Sequence, residues 1–159
     1  MLIFDLDHTV IDSSHRQATL ADGSLDLAHW IENNTPEKIS NDSLLPIADI
    51  MREGKKAGNV IGICTARVLQ DADFKFLADN GLEFDFCLSR KMGDNTGDAD
   101  LKENLLREYS ANRNIDFNDF CSMIDLFYDD NQKVLERLEA LNIKAFDAIL
   151  TNKLLKGTL

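Results

Sequence analysis

The chain has 159 residues, 44% hydrophobic and 28% charged, with a formal net charge of −11. That length suits one domain with a core of its own, and the acidic surplus excludes extended nonspecific binding to nucleic acid, which needs Lys and Arg against phosphate. No apolar run approaches the roughly 18 residues of a membrane span, no basic segment precedes an apolar one as in a signal peptide, and Cys64, Cys87 and Cys121 form no CxxC pair, so packed free thiols in a reducing cytoplasm are expected rather than a zinc site or disulfides.

Met1–Phe4 reads as a short buried strand. Residues 24–33 can form a helix, and 43–57 read better as one, with Leu44, Ile47, Ala48 and Met51 on one face. Gly58 and Asn59 stop it. "NVIGICT" is a continuous apolar run, as a central parallel strand requires. A helix over about 68–80 closes at "NG", "FDFCLS" is the next strand, and 98–110 are helical with Leu101, Leu105 and Tyr109 in register. "CSMIDLFY" reads as a strand, 131–141 as a helix turning Val134, Leu135, Leu138 and Leu141 inward, and "KAFDAIL" as the last strand. Strands alternate with helices, which predicts a doubly wound α/β domain with a mainly parallel sheet. The stretch 12–42 is irregular and too short for a large cap domain.

Open parallel sheets bind ligands at the carboxyl ends of their strands. Asp5, Asp7 and Thr9 follow the first strand, Thr65 and Arg67 follow the second, and Asp129 and Asp130 follow the fourth. Asp5 and Asp7 could be a turn, and Asp129 and Asp130 a helix start. Converging on one edge, however, four carboxylates would repel one another, and a bound divalent cation relieves that repulsion. Hard oxygen ligands suit magnesium.

"DLDHT", "ICTAR", a later Lys and "YDDN" together resemble the four motifs of the haloacid-dehalogenase phosphatase superfamily, over residues 1 to about 150. The residue after the second Asp is usually Gly there; here it is His8. "SRKMGDNTGDADLK" is similar to the third-motif region of the 3′-phosphatase domain of bacteriophage polynucleotide kinases, although the GxxxxGK[ST] loop of a kinase half is missing. The resemblance implies a Rossmann-like fold and a phosphomonoesterase. Asp5 would be the nucleophile and Asp7 the general acid and base, with Thr65 and Lys102 holding the phosphoryl group. Asp5, the Asp7 backbone carbonyl, Asp129 and Asp130 would bind magnesium. Arg16 and Arg67 would contact substrate.

Asp98 lies four residues before Lys102, the favoured order for an acid–lysine pair on a helix, and is expected to hold that lysine. It is also a good helix cap, and Lys91 competes for the lysine's role. Two substrate classes stay open: a 3′-phosphate at a nucleic-acid end, from the narrower resemblance, and a free nucleotide or small sugar phosphate, favoured by the acidic charge. A non-catalytic phosphate-binding module would have lost its nucleophile, and Asp5 is present.

Overall fold

A computed structural model describes residues 1–22 and 26–158. Leu2–Phe4 forms β1 and Ile61–Thr65 forms β4, and every residue of both is buried. Strands covered on both faces belong inside a parallel sheet. Phe86–Ser89 (β5), Leu126–Asp129 (β6) and Ala145–Asp147 (β7) complete a five-stranded sheet in the order β5-β4-β1-β6-β7. Every pairing in it is parallel; Leu2 of β1 lies opposite Ile61 on one side and Leu126 on the other.

The helices Ile47–Lys56 (α3), Asp71–Asp79 (α4), Asp98–Asn112 (α5), Phe117–Ser122 (α6), Gln132–Ala140 (α7) and Ala148–Lys156 (α8) are distributed around the strands. Alternation along β1 divides the core. Leu2 and Phe4 join Met51, Phe76, Leu77 and Ala148, the side of α3, α4 and α8. Ile3 joins Leu106, Phe120, Val134 and Leu138, the side of α5, α6 and α7. Each of these side chains larger than alanine contributes about 1.5–3 kcal/mol on burial. Gly62 in β4 answers a packing need: a Cβ there would sit 2.2 Å from the Phe86 ring of the neighbouring strand.

Four boundaries differ from expectation. The helix read over 43–57 begins only at Ile47, because Ser43–Leu44 (β3) pairs antiparallel with Ile11–Asp12 (β2). The irregular stretch between β2 and β3 carries a 3-10 turn at Ser14–Arg16 and two short helices, Leu27–Asn33 (α1) and Pro36–Ile39 (α2); residues 24 and 25 of the helix read over 24–33 lie outside the described residues. Cys121 and Ser122 close α6 instead of opening a strand, since Asp116 caps that helix by accepting from the Asn118 and Asp119 amides. "KAFDAIL" is split at Asp147, whose carboxylate accepts from the Leu150 amide and starts α8. Among the described residues, no helix is long and apolar enough to cross a membrane.

Candidate active site

The strand order reverses between β1 and β6, and a crevice at their carboxyl ends is where such sheets bind ligands. Asp5 directly follows β1, its amide donating to the Tyr128 carbonyl of β6 at 2.9 Å. Asp129 is the last residue of β6 and Thr65 the last of β4. All three side chains are buried; Asp130 is half-buried. Lys102 comes in from α5 and is itself only 2% exposed. Its Nζ lies 2.6 Å from Asp129 Oδ2 and 3.0 Å from Asp5 Oδ1. Asp5, Asp129 and Asp130 each offer one oxygen to a group whose members lie within 4.8 Å of one another. Three convergent carboxylate oxygens fit a hard divalent cation.

Burial pushes the Asp5 carboxyl up to about 7, against the pull of Lys102. Burial also raises Asp129 and takes Asp130 to about 6, where the Asp5 charge adds to the effect. For Lys102, burial works against the charge, but Asp5 and Asp129 more than reverse that and hold it protonated. A desolvated cluster of mutually shifted groups at the carboxyl ends of the strands makes this a candidate functional site.

Asp7 stands on the other side of Asp5 in a second network. Arg67 donates to it from Nε at 3.0 Å and closely from Nη2, and the Ser13 hydroxyl donates at 2.5 Å. Burial opposes ionisation of Asp7, but the Arg67 guanidinium overcomes it and holds the carboxyl below the usual range. Arg67 is anchored from behind by Asp73 at 2.6 Å, the residue that completes the capping box of α4 with Gln70. The Thr65 hydroxyl accepts from the Arg67 amide at 3.2 Å.

Arg16 is fully enclosed. Its Nε and Nη2 fork onto Asp42 at 2.8 and 2.7 Å, its Nη1 donates to Asn34 at 2.9 Å, and the Trp30 ring of α1 lies 4.5 Å from the guanidinium carbon. Breaking a buried ion pair from one side leaves a charge without a partner, so Asp42→Ala is expected to lower unfolding free energy by about 3–5 kcal/mol. Urea denaturation measures it; an unchanged midpoint would refute the anchoring role.

One expectation is corrected. Asp98 does not hold Lys102: its carboxylate takes Arg90 Nη2 at 2.8 Å and Asn131 Nδ2 at 3.5 Å. Lys102 finds stronger partners inward, and Asp98 at the first turn of α5 serves the loop before it. Arg90 also donates to the carbonyls of Ala66, Asp94 and Thr96 at 2.8, 2.9 and 2.7 Å, tying that loop to the one after β4. Lys91, the competing lysine, is exposed and pairs with Glu108 at 3.6 Å. Trp30, Asn34, Asp42, Asp73, Ser13 and Gln17 were not singled out by sequence. Only Asp73 had a readable signal, the Gln70-to-Asp73 capping spacing; the others lie in or beside the irregular stretch, where no periodicity points to them.

Solved structures with the same architecture define the class. The chain matches one from the Pnkp1/Rnl/Hen1 complex with a TM-score of 0.66 at 20% identity, over 92% of this chain and 44% of that one. It matches a HAD-superfamily hydrolase of Geobacter sulfurreducens with a TM-score of 0.61 at 13% identity, over 92% and 87%. The fold is that of the haloacid-dehalogenase superfamily. The family described as bacteriophage T5 5′-deoxynucleotidase matches residues 1–158, and the chain belongs to that family. The 5′-deoxynucleotidase of Escherichia phage T5 is 38% identical over 86 residues, 52% of this chain and 35% of that protein. The matched segment thus spans about a third of the curated relative's length.

Proposed function

We propose that the chain is a magnesium-dependent phosphatase that hydrolyses deoxynucleoside 5′-monophosphates through an aspartyl-phosphate on Asp5. The observation that carries the chemistry is Lys102 at 3.0 Å from the Asp5 carboxylate within a three-carboxylate cluster. Asp5, Asp129 and Asp130, with the Asp7 backbone carbonyl, would hold the ion, which when bound offsets the charge between a carboxylate nucleophile and an anionic phosphate.

Asp5 attacks phosphorus; the new Oδ–P bond forms as the bond from phosphorus to the ester oxygen breaks. Arg67 holds Asp7 ionised in the free protein; Asp7 would take up a proton as Arg67 turns from it to the incoming phosphate, give that proton to the departing alcohol oxygen, and then take one from the water that releases inorganic phosphate from Asp5. Thr65 and Lys102 hold the equatorial oxygens. Arg67, bonded to Asp7 from two nitrogens, is the substrate contact adjacent to the reacting group. Arg16 can contact substrate only if its fork on Asp42 opens; in the closed arrangement it supports the wall behind Arg67. Asp98 acts through the Arg90 loop.

The family relationship and the net charge of −11 favour a small, free nucleotide over a polymer. A 3′-phosphate at a nucleic-acid end is the second reading. It is favoured by Arg16, Arg67, Asp98 and Lys102 occupying the positions that the resemblance to polynucleotide 3′-phosphatases assigns. The test is kcat/KM, at one salt concentration with magnesium, for deoxynucleoside 5′-monophosphates, 3′-mononucleotides, 3′-phosphorylated oligonucleotides and sugar phosphates. Deoxynucleoside 5′-monophosphates are expected to lead, and EDTA to abolish turnover until magnesium is restored. A lead for the 3′-phosphorylated oligonucleotide would replace the substrate assignment, and full activity after exhaustive chelation would overturn the metal assignment.

A further inference from the structure

His8 departs from the glycine usual at its position, and its backbone adopts φ 56°, the left-handed region that favours glycine. A non-glycine residue in that conformation is uncommon, and its side chain makes a specific contact. The His8 Nε2 lies 2.8 Å from Gln17 Oε1. Gln17 Nε2 donates to Ser13 Oγ at 3.1 Å, and Ser13 Oγ donates to Asp7 Oδ1 at 2.5 Å. The direction of this chain is determined by its members. Asp7 Oδ1 is the acceptor for the Ser13 hydroxyl whether or not the other carboxyl oxygen carries a proton, so Ser13 gives its one proton there and must accept from an amide N–H. That leaves the Gln17 carbonyl facing His8, whose Nε2 carries the proton. Ser13 is fully buried, so no solvent competes for its hydroxyl.

We propose that Ser13, Gln17 and His8 form a hydrogen-bonded strut that fixes the Asp7 carboxylate, making Ser13 and Gln17 positioning residues for leaving-group protonation. Among the described residues, the other side chain hydrogen-bonded to the Asp7 carboxylate is Arg67. When Arg67 turns toward an anionic substrate, that hold weakens, and Ser13 keeps Oδ1 in place while Asp7 transfers its proton to the ester oxygen. Gln17 fixes the Ser13 rotor, and His8 fixes the Gln17 amide. The imidazole at position 8 supplies what a glycine could not.

The inference rests on Asp7 being the general acid, and the test separates the two. A deoxynucleoside alcohol needs a proton to leave; p-nitrophenolate does not. Because kcat/KM reports the steps up to leaving-group departure, the ratio between a deoxynucleoside 5′-monophosphate and p-nitrophenyl phosphate reads the proton transfer alone. Asp7→Asn is the reference and should collapse that ratio. Ser13→Ala should lower it by about tenfold or more, a part of the 10²–10⁴ that a positioned acid contributes, and Ser13→Thr should restore it. Gln17→Leu and His8→Gly should lower it in the same direction; His8→Gly suits the left-handed backbone, so it serves if Ser13→Ala fails to fold. If the Asp7→Asn ratio is unchanged, Asp7 is not the acid and the parent reading falls. If Asp7→Asn collapses the ratio while Ser13→Ala, Gln17→Leu and His8→Gly leave it at the wild-type value, the strut is overturned alone.

Discussion

Asp5→Asn is expected to abolish turnover, with kcat lower by about 10⁴ or more, the scale on which loss of a covalent nucleophile registers. The variant keeps the shape of the side chain and the hydrogen bond that the backbone amide of residue 5 donates to the Tyr128 carbonyl, and it removes a carboxylate whose ionisation burial already opposes. Its fold is therefore expected to survive, with Lys102 still paired to Asp129 at 2.6 Å. Two measurements check this: phosphate release under saturating magnesium, and acid-quench trapping of phosphorylated protein. Wild-type turnover in folded Asp5→Asn would end the covalent assignment.

Lys102→Ala is expected to fail twice. Removing one preorganised charge-stabilising group should lower kcat by about 10²-fold or more. It also leaves Asp5 and Asp129 buried with no cation between them, a loss of about 3–5 kcal/mol for a broken buried pair. Urea denaturation in EDTA reads the second effect. Magnesium should then narrow the gap to wild type, because carboxylates freed of the Lys102 charge bind the cation more tightly and a ligand of the folded state stabilises it the more the lower its Kd. Lys91→Ala should do neither, since an exposed pair such as Lys91–Glu108 contributes about 0–1 kcal/mol. A larger catalytic loss in Lys91→Ala would show that the wrong lysine has been assigned.

The parts of the fold that sequence reveals are those where one signal dominates. The apolar run ending at Thr65 and the buried start of the chain leave only central parallel strands as their solution. The acids placed after them fall at the sheet edge because the strand ends do. The hairpin of β2 and β3 is short and made by two residues from each side, too few for alternation to register. α6 and α8 are hidden for a related reason: Asp116 and Asp147 are helix caps, but each sits in or beside an apolar segment that equally reads as a strand. Within the site, the Asp98-to-Lys102 spacing was a sound local rule, and tertiary contact overrode it. A lysine four residues along a helix had two buried carboxylates within reach, so Asp98 was left to Arg90. The Arg16–Asp42 fork could not be foreseen, because its partners are 26 residues apart across irregular chain.

The position of β1 has a consequence for how the protein comes into being. It precedes the other four strands of its sheet along the chain and lies at the centre, yet its two neighbours are β4 and β6. Loop closure over such separations is slow compared with local helix formation. Asp5 meets Asp129 only when β6 has docked, so the four-charge cluster cannot exist in any partly folded species that lacks that strand. Helix content can therefore appear well before chemical competence. The proposed nucleophile meets its carboxylate and lysine partners only once β6 has paired with β1.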